Sequence, residues 1–209
     1  MAYLKHWISQ QSFYRNKMNN PFITDQIYKD EDFFKLRLPK GDYDGCSFIR
    51  CNFSEGYLDN CQFLECTFED CNLSNANIAH TTFKEVQFIN CKMVGLLFET
   101  CNHMLLSFSF KGCTLDFSSF RGMSIPGTLF DDCKLRNIDF SESNLSRSRF
   151  TNSILDNAIF DASNLQEADF SLSHNIKLDP ERNQLKNALF SSENVQGLLA
   201  KYKIQVIDH

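Results

Sequence analysis

A period of five residues runs through most of this chain and sharply limits what it can fold into. From Phe48 an apolar side chain recurs at Phe53, Leu58, Phe63, Phe68, Leu73, Ile78, Phe83, Phe88, Met93, Phe98 and Phe108. A smaller residue sits two places earlier in each unit, at Cys46, Cys51, Gly56, Cys61, Cys66, Cys71, Ala76 and Thr81. After a two-residue shift of phase, placed at residues 109–112, the pattern resumes at Leu115 and continues through Phe120, Phe130, Phe140, Phe150, Phe160 and Phe170. Five matches neither the helical period nor the strand period, so the segment is neither one amphipathic helix nor a run of simple hairpins. A turn must recur in every unit, and a short extended stretch must place the small and the large residue, two apart, on one side. The remaining positions are polar, as at Asn52, Ser54 and Glu55 or at Asn164, Gln166 and Glu167. One side of the chain is therefore core and the other faces water.

The same repeat accounts for the cysteines. All nine (46, 51, 61, 66, 71, 91, 101, 113 and 133) occupy the small inward position. Zinc sites instead bring ligands together about two to four residues apart. Buried free thiols acting as small hydrophobes are the expectation, with no metal and no cofactor. That many reduced thiols favour a reducing, cytoplasmic setting. Residues 1–20 mix Lys5, His6, Gln10, Gln11, Arg15 and Lys17 among their apolar residues, unlike a signal peptide, and no stretch has the length of a membrane-spanning helix.

Chemistry is sparse. There is no phosphate-binding glycine loop, no nucleophile elbow and no metal motif among His6, His80, His103, His174 and His209, so the chain is not expected to be an enzyme. His103 takes a central repeat position, where either a distorted coil or a buried, hydrogen-bonded imidazole is expected. Large residues at small positions (Val86, Leu96, Leu106, Met123, Ile138) imply a wider or bent stretch. The net charge of −5 is uneven: +3 over residues 1–40, −9 over 41–175 and +1 over 176–209. Direct nucleic-acid binding needs a basic face, which this distribution does not offer.

Runs such as CNFSE, CQFLE, CTFED, CNLSN and ASNLQEADF resemble the A(D/N)LXX motif of pentapeptide-repeat proteins. The resemblance implies an all-β fold, a right-handed quadrilateral β-helix with four units per square coil, ending here in a short helix. At twenty residues per coil, Phe120 would stack on Phe140 and Phe160, and Phe130 on Phe150 and Phe170, giving aromatic columns on opposite faces. Cys46, Phe48, Cys51, Phe53, Cys61, Phe63, Cys66, Phe68 and Cys71 would line the shaft of the first block. About six coils separate Phe48 from Phe170, a rod of ~30 Å at ~4.8 Å per coil. Residues 1–40 are expected to cap the N-terminal end, with Phe33, Phe34, Leu36, Leu38 and Tyr43 only half in register. Residues 41–175 form the β-helix and 176–209 the C-terminal cap. In that cap Ser191 or Ser192 starts a helix carrying Val195, Leu198, Leu199 and Tyr202 on one face, and Ile204, Val206 and Ile207 alternate as a short strand.

The closing stretch NALFSSENVQGLLAKYKIQVI is similar to the ending of the quinolone-resistance (Qnr-type) branch, whose members are dimeric DNA mimics that engage type II topoisomerases. That similarity implies a homodimer with Val195, Leu198, Leu199 and Tyr202 as the contact stripe, the alternative being that the stripe only caps its own last coil. Two functions follow. One is a non-enzymatic scaffold for an unknown protein partner. The alternative is a Qnr-like mimic that binds DNA gyrase or topoisomerase IV and modulates quinolone sensitivity. Charge favours the former, because ~30 Å of duplex carries about 18 phosphates against the −9 counted here. The long loops of Qnr-type proteins also have no counterpart in the repeat.

Overall fold

A computed structural model describes residues 20–205 and 207, and in it the five-residue units wind into a right-handed quadrilateral β-helix closed at its C-terminal end by one short helix. One side of the square is a seven-stranded parallel sheet made of β2 (Ile27–Lys29), β4 (Ser47–Ile49), β6 (Thr67–Glu69), β8 (Val86–Ile89), β9 (Phe108–Lys111), β10 (Leu129–Asp131) and β11 (Arg149–Thr151). A second side is a four-stranded sheet of β1 (Phe22–Thr24), β3 (Asp42–Asp44), β5 (Gln62–Leu64) and β7 (Thr82–Lys84). The other two sides are held by single bridges between successive coils, such as Asn52↔Asn72 and Ser119↔Asp139.

The strands are short because a corner follows every unit. The corner residue is left-handed, as at Glu55, Asn60, Glu65, Asp70 and Asn75 with φ between 51° and 60°. Asn, Asp and Gly tolerate that conformation best, which explains their recurrence two places after each central residue.

Packing in the shaft follows the stacking register. Tyr28, Phe48, Phe68, Phe88, Phe110, Phe130, Phe150, Phe170 and Phe190 form one unbroken column, with successive ring centroids 4.7–5.4 Å apart. On the opposite side Phe98, Phe120, Phe140 and Phe160 stack at 4.2, 5.4 and 5.3 Å. The two columns meet edge to face, as between Phe120 and Phe130 at 6.1 Å. Among the shaft residues expected between Cys46 and Cys71 and the phenylalanines from Phe120 to Phe170, Phe160 is the most exposed, at 6%.

The small position is more than a space-filler. Cys71 Sγ donates to Phe48 O (3.2 Å), Cys91 Sγ to Phe68 O (3.3 Å), Thr81 Oγ1 to Leu58 O (2.9 Å) and Ser153 Oγ to Phe130 O (3.1 Å). Each adds a side-chain donor to the carbonyl of a central residue one coil back, as at Leu58 O, which also accepts from Cys61 N at 3.2 Å. Thiol and hydroxyl are interchangeable there because both are small and both donate.

Three expectations need correction. The phase shift lies at residues 102–107, not 109–112: Val86 pairs with Phe108 and Phe88 with Phe110, so Phe110 is the central residue and Phe108 occupies a small position. The two extra residues bulge where His103 would otherwise enter an apolar shaft without partners. His103 is exposed instead, with Nε2 2.9 Å from Glu99 O, and Leu106 packs against the core.

The boundary at residue 40 is not structural. β1 pairs with β3 in full register, Phe22↔Asp42, and β2 with β4, so residues 20–40 form a coil of the ladder. The ladder also passes residue 176, through Asn164↔Gln184 and Asp169↔Leu189. Finally, Ile204, Gln205 and Ile207 carry no strand, while Val206 and residues 1–19 lie outside the described residues.

Candidate interaction surfaces

The C-terminal end is built around α1 (Ser192–Leu198). Ser191 is its N-cap, accepting a hydrogen bond from Asn194 N at 3.1 Å, and a 3-10 turn over Ala200–Tyr202 follows. Two asparagines add side-chain donors at this end of the shaft. Asn183 Nδ2 donates to Phe160 O (2.9 Å), and buried Asn194 Nδ2 donates to Phe170 O (2.9 Å) and Ser173 O (2.8 Å). Neither was singled out from the sequence. Asn183 had a signal, since it lies twenty residues after Ser163 at the small position; Asn194 stands outside the register and had none. At Gly197 a Cβ would collide with the carbonyl oxygen of Ile176, so the helix rests directly on the last coil's backbone.

This seating divides the stripe expected at a dimer contact. Leu198 packs against the chain's own core and Leu199 is half-buried, whereas Val195 (45%) and Tyr202 (53%) face outward. Leu189, Ile204 and Ile207 add exposed apolar surface at the same end, at 54%, 57% and 74%. Tyr202 is fixed by its hydroxyl, which donates to Glu181 Oε1 at 2.9 Å. Lys201 Nζ reaches both Asp179 and Glu181 at 2.7 Å and holds both carboxyls below the usual carboxylate range. Between α1 and the last coil runs an open groove of about 510 Å³ lined by Asp156, His174, Lys177 and Glu193. None of these four is buried.

Along the rod the charges are arranged by coil stacking. Arg50 pairs with Asp30, Arg121 with Glu142, Arg182 with Asp161, and Arg136 lies between Asp116 and Asp156. Asp59 is held by Arg37 and Lys40; burial alone would raise its carboxyl, but the two cations and the Asn60 amide bring it below the ordinary range. Asp42, Asp44, Glu65 and Glu85 have no cation in ion-pair reach among the described residues. They share the side of the four-stranded sheet; beyond the 102–107 bulge that side carries Ser124, Asn144, Asn164 and Gln184, with Arg147 and Glu167 at the corner that Glu65 and Glu85 occupy before it. The bulge itself exposes Met104 and Leu105, each at 72%.

The nine thiols are buried and unbridged, and no group of His, Cys, Asp and Glu among the described residues is arranged to hold a metal. Burial pushes the Cys66 thiol up to about 12 and raises those of Cys61 and Cys101. Those three thiols are therefore held protonated, without nucleophilic character.

A profile of the pentapeptide repeat region matches residues 42–120 and 82–160. Among solved structures, a trypsin-treated variant of QnrB1, a plasmid-mediated fluoroquinolone resistance protein, aligns over 90% of this chain and 92% of its own with 19% identity and a TM-score of 0.53. HetL, a pentapeptide repeat protein involved in heterocyst differentiation regulation in the cyanobacterium Nostoc, aligns over 87% and 91% with 12% identity and a TM-score of 0.30. No curated protein matches the chain. At such identities the likeness to QnrB1 is one of fold.

Proposed function

The chain belongs to the pentapeptide-repeat family, and from that membership we propose that it is a non-catalytic scaffold that pairs with a second copy through its C-terminal end and offers the sides of its rod to a protein partner. The observation that carries the pairing is the apolar surface at that end. Leu189, Val195, Tyr202, Ile204 and Ile207 are 45–74% exposed beside a helix whose inner side is already engaged by its own core. A second copy meeting it about a two-fold axis would cover the same residues on both partners. A non-catalytic role agrees with the thiols, which are used as buried donors. No helix among the described residues is long and apolar enough to cross a membrane. Nine unbridged cysteines favour the cytoplasm as its location.

Light scattering on the purified chain at micromolar concentration should return twice the monomer mass, and Tyr202→Asp or Val195→Asp should return the monomer. A monomer mass for the unaltered chain ends the pairing proposal.

The second reading is a Qnr-like partner of type II topoisomerases, favoured by the fold shared with QnrB1. Electrostatics weighs against it. Of the eighteen acids in residues 41–175, Asp59, Asp116, Glu142, Asp156 and Asp161 are ion-paired, and on the four-stranded side four acids without a cation in reach among the described residues (Asp42, Asp44, Glu65, Glu85) precede the bulge while one, Glu167, follows it. Supercoiling by purified gyrase, with and without a quinolone, decides the matter. Neither inhibition nor rescue by the added chain removes this reading and leaves the scaffold.

A further inference from the structure

One edge of the rod stacks the left-handed corners Glu55, Asn75, Gly95, Phe117, Asn137 and Asn157, one per coil. Phe117 is the exception in that row. A side chain of its bulk is strained at φ 62°, and its ring is 63% exposed, so no burial offsets the strain. On the adjoining side the row Tyr57, Asn77, Leu97 and Ser119 leaves Tyr57 at 53% and Leu97 at 50% exposure. Between Tyr57 and Phe117 lies an open depression of about 350 Å³ whose lining includes buried Ala76 and Ile78, the Gly95 corner and Leu97. Large exposed apolar groups around an apolar hollow mark a contact surface.

Charge selects what the surface contacts. On this side Arg37 and Lys40 are engaged by Asp59, Arg121 by Glu142 and Arg182 by Asp161. Glu55, Glu99 and Asp139 have no cation in ion-pair reach among the described residues. The unmet charge is therefore negative, and it calls for a cationic occupant. Tyr57 shows how cation meets ring on this side: the Arg37 guanidinium lies 4.8 Å from its ring centroid while Asp59 holds the same side chain. Phe117 has no cation over it among the described residues. We propose that this surface seats a segment of a protein partner in which arginine alternates with apolar residues, one guanidinium over Phe117 and one apolar side chain in the depression beside Leu97. Arginine suits the ring because its planar guanidinium stacks on an aromatic face. The assignment rests on the scaffold reading and adds to it the side of the rod and the chemistry of the segment.

The probe is the amidated peptide acetyl-Leu-Arg-Leu-Arg-Leu, titrated into the isotope-labelled whole chain and followed by amide NMR. Amides of residues 75–78, 95–100 and 117 should shift. The citrulline analogue, which keeps the shape and loses the charge, should bind about two- to five-fold more weakly, the fold-change of one exposed cation–π contact. Phe117→Asn, which relieves the strained corner, should weaken the arginine peptide by a similar factor with the rest of the spectrum unchanged. Leu97→Asn, which copies Asn77 one coil earlier, should also weaken it. Equal binding of the citrulline analogue, or full binding by Phe117→Asn, overturns the proposal. So do shifts centred on Asp42, Asp44, Glu65 and Glu85, which assign the peptide to the acidic side, and shifts of the same amides with protein concentration alone, which assign the surface to a second copy. A chain of twice the monomer mass that shows no shift here loses this site and keeps its C-terminal pairing, so the two readings fail separately.

Discussion

Phe130→Leu separates ring stacking from simple filling of the shaft. Phe130 is fully buried, stacked on Phe110 at 5.2 Å and Phe150 at 5.0 Å, and edge-on to Phe120 and Phe140 at 6.1 and 5.7 Å. Leucine already occupies neighbouring central positions at Leu115, Leu135 and Leu155, so the shaft accepts its shape. What the substitution removes is two stacked ring pairs, each worth about 0.5–1.5 kcal/mol beyond area burial. A near-conservative change of volume adds about 1 kcal/mol, for a total loss of about 2–4 kcal/mol. Phe190→Leu is the control, because Phe190 is half-buried and stacks on one ring, Phe170, at 5.2 Å, so about 0.5–1.5 kcal/mol is expected. Urea titrations of both variants, followed by circular dichroism, give the comparison. Hydrogen exchange of the β10 amides should accompany them, since a stack of repeats can open from its ends before its middle. Equal losses at the two positions would falsify the stacking argument and leave the columns as space-filling alone.

Four further outcomes are expected. Gly197→Ala drives a methyl into the Ile176 carbonyl and should cost about 1–3 kcal/mol, seen as lost hydrogen-exchange protection in α1 with β10 unchanged; intact α1 protection contradicts the seating of the helix. Cys71→Ser retains a donor for Phe48 O and Glu69 O whereas Cys71→Val removes it, so chemical denaturation should find the valine variant less stable by about 1 kcal/mol; the reverse order denies the thiol its donor role. Phe117 sits at a left-handed corner with φ 62° and a side chain 63% exposed, so Phe117→Asn should stabilise by about 1 kcal/mol in the same titration, and a loss would show that the ring makes a contact of its own. Lys201 holds the Asp179 and Glu181 carboxyls below their ordinary range, so that tether is complete above about pH 4 and is lost as pH falls through the lower folded-state values. Limited proteolysis near Lys201 should therefore accelerate at about pH 3, and a rate that follows only the protease's own pH profile refutes the tether.

The shaft was legible in the sequence because its cause is local and repeated. Every unit carries its own small residue, large residue and corner, and the resemblance to pentapeptide repeats implies four units per coil, which brings Phe120 over Phe140 before any contact is seen. Legibility fails where one residue must choose between two equivalent roles. Phe108 and Phe110 are both apolar and two apart, and either can be central; only pairing with β8, Val86↔Phe108 and Phe88↔Phe110, places the insertion upstream, where His103 cannot enter the shaft. The first coil reads as a cap because Phe33, Phe34, Leu36, Leu38 and Tyr43 are only half in register, and it is strand pairing with β3 and β4 that places it in the ladder.

Charge is the level at which a linear reading misleads most. A tally by region treats each acid as equally available to a partner, yet a coil of twenty or so residues sets Arg50 on Asp30, Arg121 beside Glu142 and Arg182 beside Asp161, pairs invisible to neighbours in sequence. Exposed pairs of this kind add little stability. They do change the field, because a carboxylate with a guanidinium in contact presents a dipole, not a charge, beyond about one Debye length. The −9 of the rod is thus concentrated on fewer sites than the sequence suggests, with Asp42, Asp44, Glu65 and Glu85 together on one side near the N-terminal end. A partner steered by charge would meet that end first.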